Sequence, residues 1–372
     1  MDRLPEKTRR TLERLVNELK ERTNVSGIGL FGSWSRGDSV QSSDVDLFIL
    51  NKTEADYEHI ERLELGGLFV DLDFVPRKWF HGPIPPETDQ KLYELQILYD
   101  RDWLLTNTKL LMVKSYGSPE RIDIRTEDHL ISSDIYLSRA TSAFSRQDYH
   151  SAYLFALVAL EKILRIPAEI TMEPFSNSHF LERAERSTTK LGMHTIFEDY
   201  LRISRLKEAD EPSMKNKLRL FKAAWEEISL TTHKILQKSA YTHSIIKANL
   251  NYYLASAFLQ GVIARTKSII DCGETIEASH YLKTIFLAIA ENYVMLRSSS
   301  EKNVNTVCTI LMSSLKKLEA KNPKNYDRII DLLDLNNVER IEAINAIRET
   351  RKIILKIRKD RKLLIMNHSI KS

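Results

Sequence analysis

Two short apolar runs near the N-terminus each hold a pair of aspartates one residue apart. They are Asp44-Val45-Asp46-Leu47-Phe48-Ile49-Leu50 and Leu68-Phe69-Val70-Asp71-Leu72-Asp73-Phe74-Val75. Aspartate is depleted in strands, and a carboxylate facing a core is costly unless it is paired or neutralised. Side chains at i and i+2 of a strand share a face. Asp44 and Asp46 therefore point one way, while Val45, Leu47 and Ile49 turn the other. Two carboxylates side by side repel, and a hard divalent cation is the simplest way to hold both. The first run thus demands a strand with one face in a core and the other opening on a charged site.

The residues before that strand suit an anion. An apolar stretch, Ser26-Gly27-Ile28-Gly29-Leu30-Phe31, ends in the turn Gly32-Ser33. Glycine lets backbone approach a phosphate closely, and a serine hydroxyl with neighbouring amides can bind its oxygens. Arg36 adds a cation within reach, and Trp34 reads as a packed indole. Asp38 reads as a cap or loop residue. Asp71 and Asp73 repeat the i, i+2 arrangement on a third strand. If that strand pairs beside the second, one or both reach the same centre. A carboxylate between metal and acceptor can take the proton from an attacking hydroxyl. Two ions bridged by such aspartates would clamp the attacking and leaving oxygens of a phosphoryl displacement.

Gly32-Ser33, ten intervening residues, Asp44-Val45-Asp46 and then Val70-Asp71-Leu72 together resemble the signature of the DNA polymerase β-like nucleotidyltransferase superfamily. The spacing is similar to that of the minimal, kanamycin-nucleotidyltransferase-like members, and the resemblance spans less than a third of the chain. It implies that Gly32, Ser33 and Arg36 bind the nucleotide. It implies that Asp44, Asp46 and Asp71 ligate Mg²⁺, two ions in all, and that Asp71 completes the catalytic set as general base. Asp73 is the alternative third carboxylate and a further metal ligand. The implied reaction moves a nucleoside monophosphate, AMP from ATP being favoured, to an unidentified hydroxyl on a small molecule or protein, and releases pyrophosphate. The alternatives are a nucleotide-binding regulatory or antitoxin-like module without turnover, and an RNA 3′-end nucleotidyltransferase.

The periodicity changes along the chain. Helical spacing of Leu12, Leu15, Val16 and Leu19 predicts a first helix, with Pro5 in its first turn. Strands are expected at Ser26–Phe31, Asp44–Leu50, Leu68–Pro76 and around Leu95–Leu105, with a short helix over Thr53–Leu65. Beyond residue 126 glycine nearly disappears and helical patterning runs to the C-terminus, with a tight turn at Gln147-Asp148. The expected class is α+β: a small N-terminal α/β domain with a mixed sheet, then an all-α region. The expected domains are 1–110, 126–245 and 246–372. The segment Asp148–Leu164 and the helices after it resemble HEPN-type bundles, which in that family bind substrate or act as partner toxins. The basic C-terminal helix reads as a solvated face.

Composition sets the remaining limits. A net charge of +4 does not by itself call for nucleic acid, so RNA is not the favoured partner. Cys272 and Cys308 form no CxxC unit, which argues against a disulfide framework or structural zinc. The scattered histidines have no metal-ligand spacing. The charged N-terminus is unlike a secretory signal, and no apolar run would span a bilayer. A cytoplasmic protein is expected, with no membrane partner and with a homodimer compatible with its helical surface.

Overall fold

The computed structural model describes residues 5–40, 42–52, 57–206, 210–236, 243–299, 310–320 and 322–369. The chain forms two compact units. The first comprises Met1–Arg121 with Lys247–Arg265, and the second Ile122–Ile246 with Thr266–Ser372. Cys308 and residues 53–56 lie outside the described residues.

The first unit is built on a five-stranded mixed sheet. Its strands are β1 (Val25–Phe31), β2 (Val45–Asn51), β3 (His59–Leu65), β4 (Leu68–Pro76) and β5 (Gln96–Asp100), in the order β3-β4-β2-β1-β5. Only β2 and β4 run parallel; the other neighbours are antiparallel. Each face of the sheet is covered. Helix α1 (Glu6–Lys20) presents Leu12, Leu15, Val16 and Leu19 to one face, against Ile28, Leu30, Val45, Leu47, Ile49 and Leu72. Burying each such side chain contributes roughly 1.5–3 kcal/mol. The other face packs Phe48, Leu50 and Val75 against Leu92 of α3 (Asp89–Glu94) and Leu105 and Met112 of α4 (Leu104–Ser115). The alternation expected of β2 is therefore observed, and Asp46 stands on the α3–α4 side with Phe48 and Leu50.

One expectation fails. The helix expected over Thr53–Leu65 is absent from its described part, which runs from Tyr57 and ends in strand β3. The decisive signal is the hairpin that follows. Gly66 and Gly67 have φ of 62° and 87°, as a two-residue turn with both central residues left-handed requires. That turn joins β3 to β4 in the register Leu65↔Leu68, Leu63↔Val70 and Arg62↔Asp71. Strand pairing outweighs the favourable helix propensity of Glu61, Arg62, Leu63, Glu64 and Leu65.

Two helices of the C-terminal half begin in or complete this unit. Helix α10 (Ser244–Tyr253) and the first ten residues of α11 (Ser256–Asp271) contribute residues 247–265 to it.

The second unit is helical. Helix α5 (Pro119–Ser145), of which all but the first turn belongs here, turns into α6 (Tyr149–Ile170) at Gln147, whose φ is 61°. Asp148 caps α6 by accepting from the Ser151 amide at 3.0 Å. Helix α6 is buried along most of its length. Around it and one another pack α7 (Phe180–Lys190), α8 (His194–Ile203), α9 (Glu211–Leu236), α12 (Thr275–Ser299), α13 (Leu311–Leu318), α14 (Pro323–Leu332) and α15 (Arg340–Ser369). Polar ties cross the bundle: Ser133 donates to the Ala159 carbonyl at 2.8 Å, and Arg125 pairs with Glu169 at 2.5 Å. Among the described residues no helix is long and apolar enough to cross a membrane.

Candidate active site

The parallel register of β2 and β4 places Asp46 directly beside Asp71, with Val45 beside Val70 and Phe48 beside Asp73. Asp44 immediately precedes β2. Asp44, Asp46 and Asp71 thus converge at one end of the sheet, on the face that carries α3 and α4. Gly32 closes this end. It opens the five-residue helix α2 (Gly32–Arg36) with φ of 73°, and a Cβ there would lie 2.2 Å from Asp46 Oδ2. Only glycine combines the left-handed conformation with that approach.

The carboxylates have specific counter-charges. Arg62, on β3, donates from Nε to Asp71 Oδ1 at 2.6 Å and from Nη2 to Asp71 Oδ2 at 2.5 Å. The same Nη2 reaches Asp44 Oδ2 at 2.6 Å. Arg265, on α11, donates to Asp44 Oδ1 at 2.8 Å. The Tyr252 hydroxyl, on α10, donates to Asp71 Oδ2 at 3.0 Å. Arg62 is held between the rings of Tyr252 and Phe258, at 5.5 and 5.3 Å from their centroids. A side chain at Gly261 would meet Arg62 Nη1 at 2.6 Å, so this part of α11 is shaped around the guanidinium.

These contacts divide the titration of the three groups. Burial opposes ionisation of Asp44, but Arg265 and Arg62 bring its carboxyl below the ordinary range. Burial raises Asp71 despite its bonds to Arg62. Asp46 is pushed well up, by burial first and then by the like charges of Asp44 and Asp71. No hydrogen bond to the Asp46 carboxylate is found among the described residues.

Asp73 has a separate setting. It is 2% exposed and pairs with Lys91 of α3 at 2.5 Å, while Lys91 also binds Glu58. Burial and the neighbouring Glu58 carboxyl, against the pull of Lys91, push Asp73 up to about 8. Lys91 is the shared counter-charge of the two carboxyls. The i, i+2 repeat on β4 is real, but geometry joins only Asp71 to Asp44 and Asp46.

The anion side is likewise occupied. The Gly32 amide donates to Glu94 Oε2 at 3.2 Å, and Arg36 pairs with Glu94 at 2.7 Å and with Asp38 at 3.2 Å. The Ser33 side chain is partly exposed beside them. Trp34 is partly buried against the α1 face and donates to the Ser43 carbonyl at 3.4 Å. Sequence reading did not single out Glu94, Arg62, Tyr252 or Arg265. Arg62 could have been found from the Gly-Gly hairpin, which sets it opposite Asp71. Tyr252 and Arg265 carry no local signal.

Among the described residues, no three His, Cys, Asp or Glu side chains stand as a ready metal cage in this conformation. The donor chemistry nevertheless fits a hard cation. Asp44, Asp46 and Asp71 are all oxygen donors, and Mg²⁺ is commonly held by one or two carboxylates with water and substrate phosphate. Asp46, with like charges beside it and no donor to its oxygens among the described residues, is where a cation would gain most.

The family model described as "Polymerase beta, Nucleotidyltransferase" matches residues 13–73, from α1 through Asp73. A solved structure described as a nucleotidyltransferase-like protein from Exiguobacterium sibiricum 255-15 is similar at 13% identity and a TM-score of 0.33. That similarity covers 84% of this chain and 91% of the other. No curated protein matches the chain. Residues 13–73, which hold the Gly-Ser turn and Asp44, Asp46 and Asp71, thus match a nucleotidyltransferase domain of the polymerase beta type.

Proposed function

We propose that the chain transfers a nucleoside monophosphate from a nucleoside triphosphate, ATP being favoured, to a hydroxyl acceptor, with release of pyrophosphate. The observation that carries this reading is the convergence of Asp44, Asp46 and Asp71 next to Gly32. Mg²⁺ held by Asp44 and Asp46 would supply charge for the triphosphate and polarise the α-phosphorus. Asp71 takes the proton of the attacking hydroxyl. Arg62 holds the Asp71 carboxylate in orientation through two parallel bonds. Gly32, Ser33 and Arg36 receive the phosphates as Glu94 yields the Gly32 amide and the guanidinium. Residues 247–265, which belong to the same unit as the aspartates and bring Tyr252 and Arg265 to them, line the acceptor side. The cytoplasm is the compartment this chemistry suits, since it supplies the triphosphate.

The test is pyrophosphate release from each of the four nucleoside triphosphates with Mg²⁺, with cell extract as the source of acceptor. Release with the wild type and its loss in Asp46→Asn support the reading. Absence of release with every nucleotide overturns it.

A second reading has its own observation. Arg62 and Arg265 already neutralise Asp44 and Asp71. A site so balanced suits a nucleotide-binding regulatory module without turnover. It predicts nucleotide binding that survives Asp46→Asn and releases no pyrophosphate.

A further inference from the structure

Of all hydroxyl groups bonded to the three carboxylates among the described residues, one belongs to a tyrosine, and it reaches the carboxylate assigned as general base. Tyr252 Oη donates to Asp71 Oδ2 at 3.0 Å. This distance lies within the reach a base needs to remove a proton directly. The phenol is also rigidly presented. Its ring packs against Tyr253 and Phe258 at centroid separations of 5.3 and 4.9 Å, and Arg62 lies over its face. A side chain with two torsions, fixed on both sides, holds its oxygen where a mobile acceptor would have to be ordered. Arg62 touches the same Asp71 oxygen, so a cation stands beside the atom that would lose its proton.

We propose that Tyr252 is itself a nucleotidyl acceptor, so that the chain modifies its own α10. This rests on the transfer activity proposed above and names an acceptor class for the same site: a protein phenol. In the step, Tyr252 Oη forms a bond to the α-phosphorus of the nucleoside triphosphate. The bond from that phosphorus to the bridging oxygen of the pyrophosphate group breaks. The phenolic proton passes to Asp71 and from there to solvent. The products are a tyrosyl nucleoside monophosphate diester at position 252 and inorganic pyrophosphate. A nucleotide on Tyr252 removes the donor that now bonds to Asp71. The modified segment therefore cannot return to its present contact, and the carboxylate keeps its bonds to Arg62.

The experiment incubates the purified full-length chain with Mg²⁺ and each of the four α-³²P-labelled nucleoside triphosphates. Label retained after denaturation is then located by peptide fragmentation. Trypsin would release Ala248–Arg265, which contains both Tyr252 and Tyr253, and fragmentation separates the two. The expected result is label on Tyr252, formed at a rate per chain that does not change on dilution. It is lost in Tyr252→Phe and kept in Tyr253→Phe. Pyrophosphate release with extract but no label on the chain overturns the self-acceptor while leaving the transfer reading intact. Label at another residue, or Tyr252→Phe labelled as well as wild type, overturns it too, and the contact is then a structural hydrogen bond only. No pyrophosphate and no label with any nucleotide overturns both readings together. Locating the modification in the wild type keeps the test decisive even if Tyr252→Phe unfolds.

Discussion

Asp46→Asn should make the protein more stable while removing its chemistry. Neighbouring strands lie about 4.8 Å apart and i, i+2 positions roughly 6.7 Å apart. At an effective dielectric of about 20, charges at these separations repel by roughly 3.5 and 2.5 kcal/mol. Arg62 and Arg265 return part of this, but both repulsions on Asp46 outrank either attraction, and burial adds to them. The neutral amide keeps the shape and loses the penalty. Relief of such a site commonly yields about 0.5–2 kcal/mol, a rise of a few degrees in Tm for a unit of this size. The sign with pH follows. A carboxyl whose folded pKa is raised holds its proton better in the folded state, so wild-type stability falls as pH rises above the unfolded value of 3.8. The variant lacks that contribution. The assay is calorimetric unfolding in EDTA at neutral pH, followed by Mg²⁺ titration. Mg²⁺ should raise Tm in the wild type by preferential binding to the folded state and do far less in the variant. A variant that unfolds at or below the wild-type temperature in EDTA would refute the reasoning, because Asp46 would then be stabilised by partners other than those named.

Three further expectations concern the surrounding residues. Arg265→Ala removes a guanidinium from Asp44, so Mg²⁺ should bind more tightly by isothermal titration; weaker or unchanged binding would show that Arg265 does not compete with a cation. Gly32→Ala forces a left-handed alanine, costing about 1–2 kcal/mol, and drives its Cβ against Asp46 Oδ2; pyrophosphate release should be lost and Tm lowered, and retained activity would place the nucleotide elsewhere. Asp73→Asn should leave pyrophosphate release largely intact. Because Asp73 titrates at about 8 when folded against 3.8 unfolded, the wild type should lose stability as pH rises between these values, and the variant's stability profile should be flatter there; a loss of activity as complete as that of Asp46→Asn would return Asp73 to the catalytic set.

The polar residues that most define the domain were legible because their signals are local. The period-2 aspartates at the start of β2, the Gly-Ser turn before it and the near-loss of glycine after residue 126 are each read over a few neighbouring residues. The same local rules could not separate Asp71 from Asp73, since both repeat the same pattern on the same strand. That choice depends on which residue β2 places alongside, and the parallel register joins Asp71 to Asp46 and gives Asp73 to Lys91 and Glu58. Arg62 was hidden by reading Thr53–Leu65 as a helix, although Gly66-Gly67 held the correction.

Tyr252 and Arg265 mark the limit of sequence reading. They stand 181 and 221 residues from the aspartates they bind, and nothing in the local pattern of α10 or α11 points to β2 or β4. The amino-acid sequence by itself determined where carboxylates and phosphate-binding backbone would meet, because strand alternation and glycine conformation act over a few residues. Only tertiary structure decided which groups neutralise them, because a buried charge selects its partner by proximity in space, wherever along the chain that partner lies.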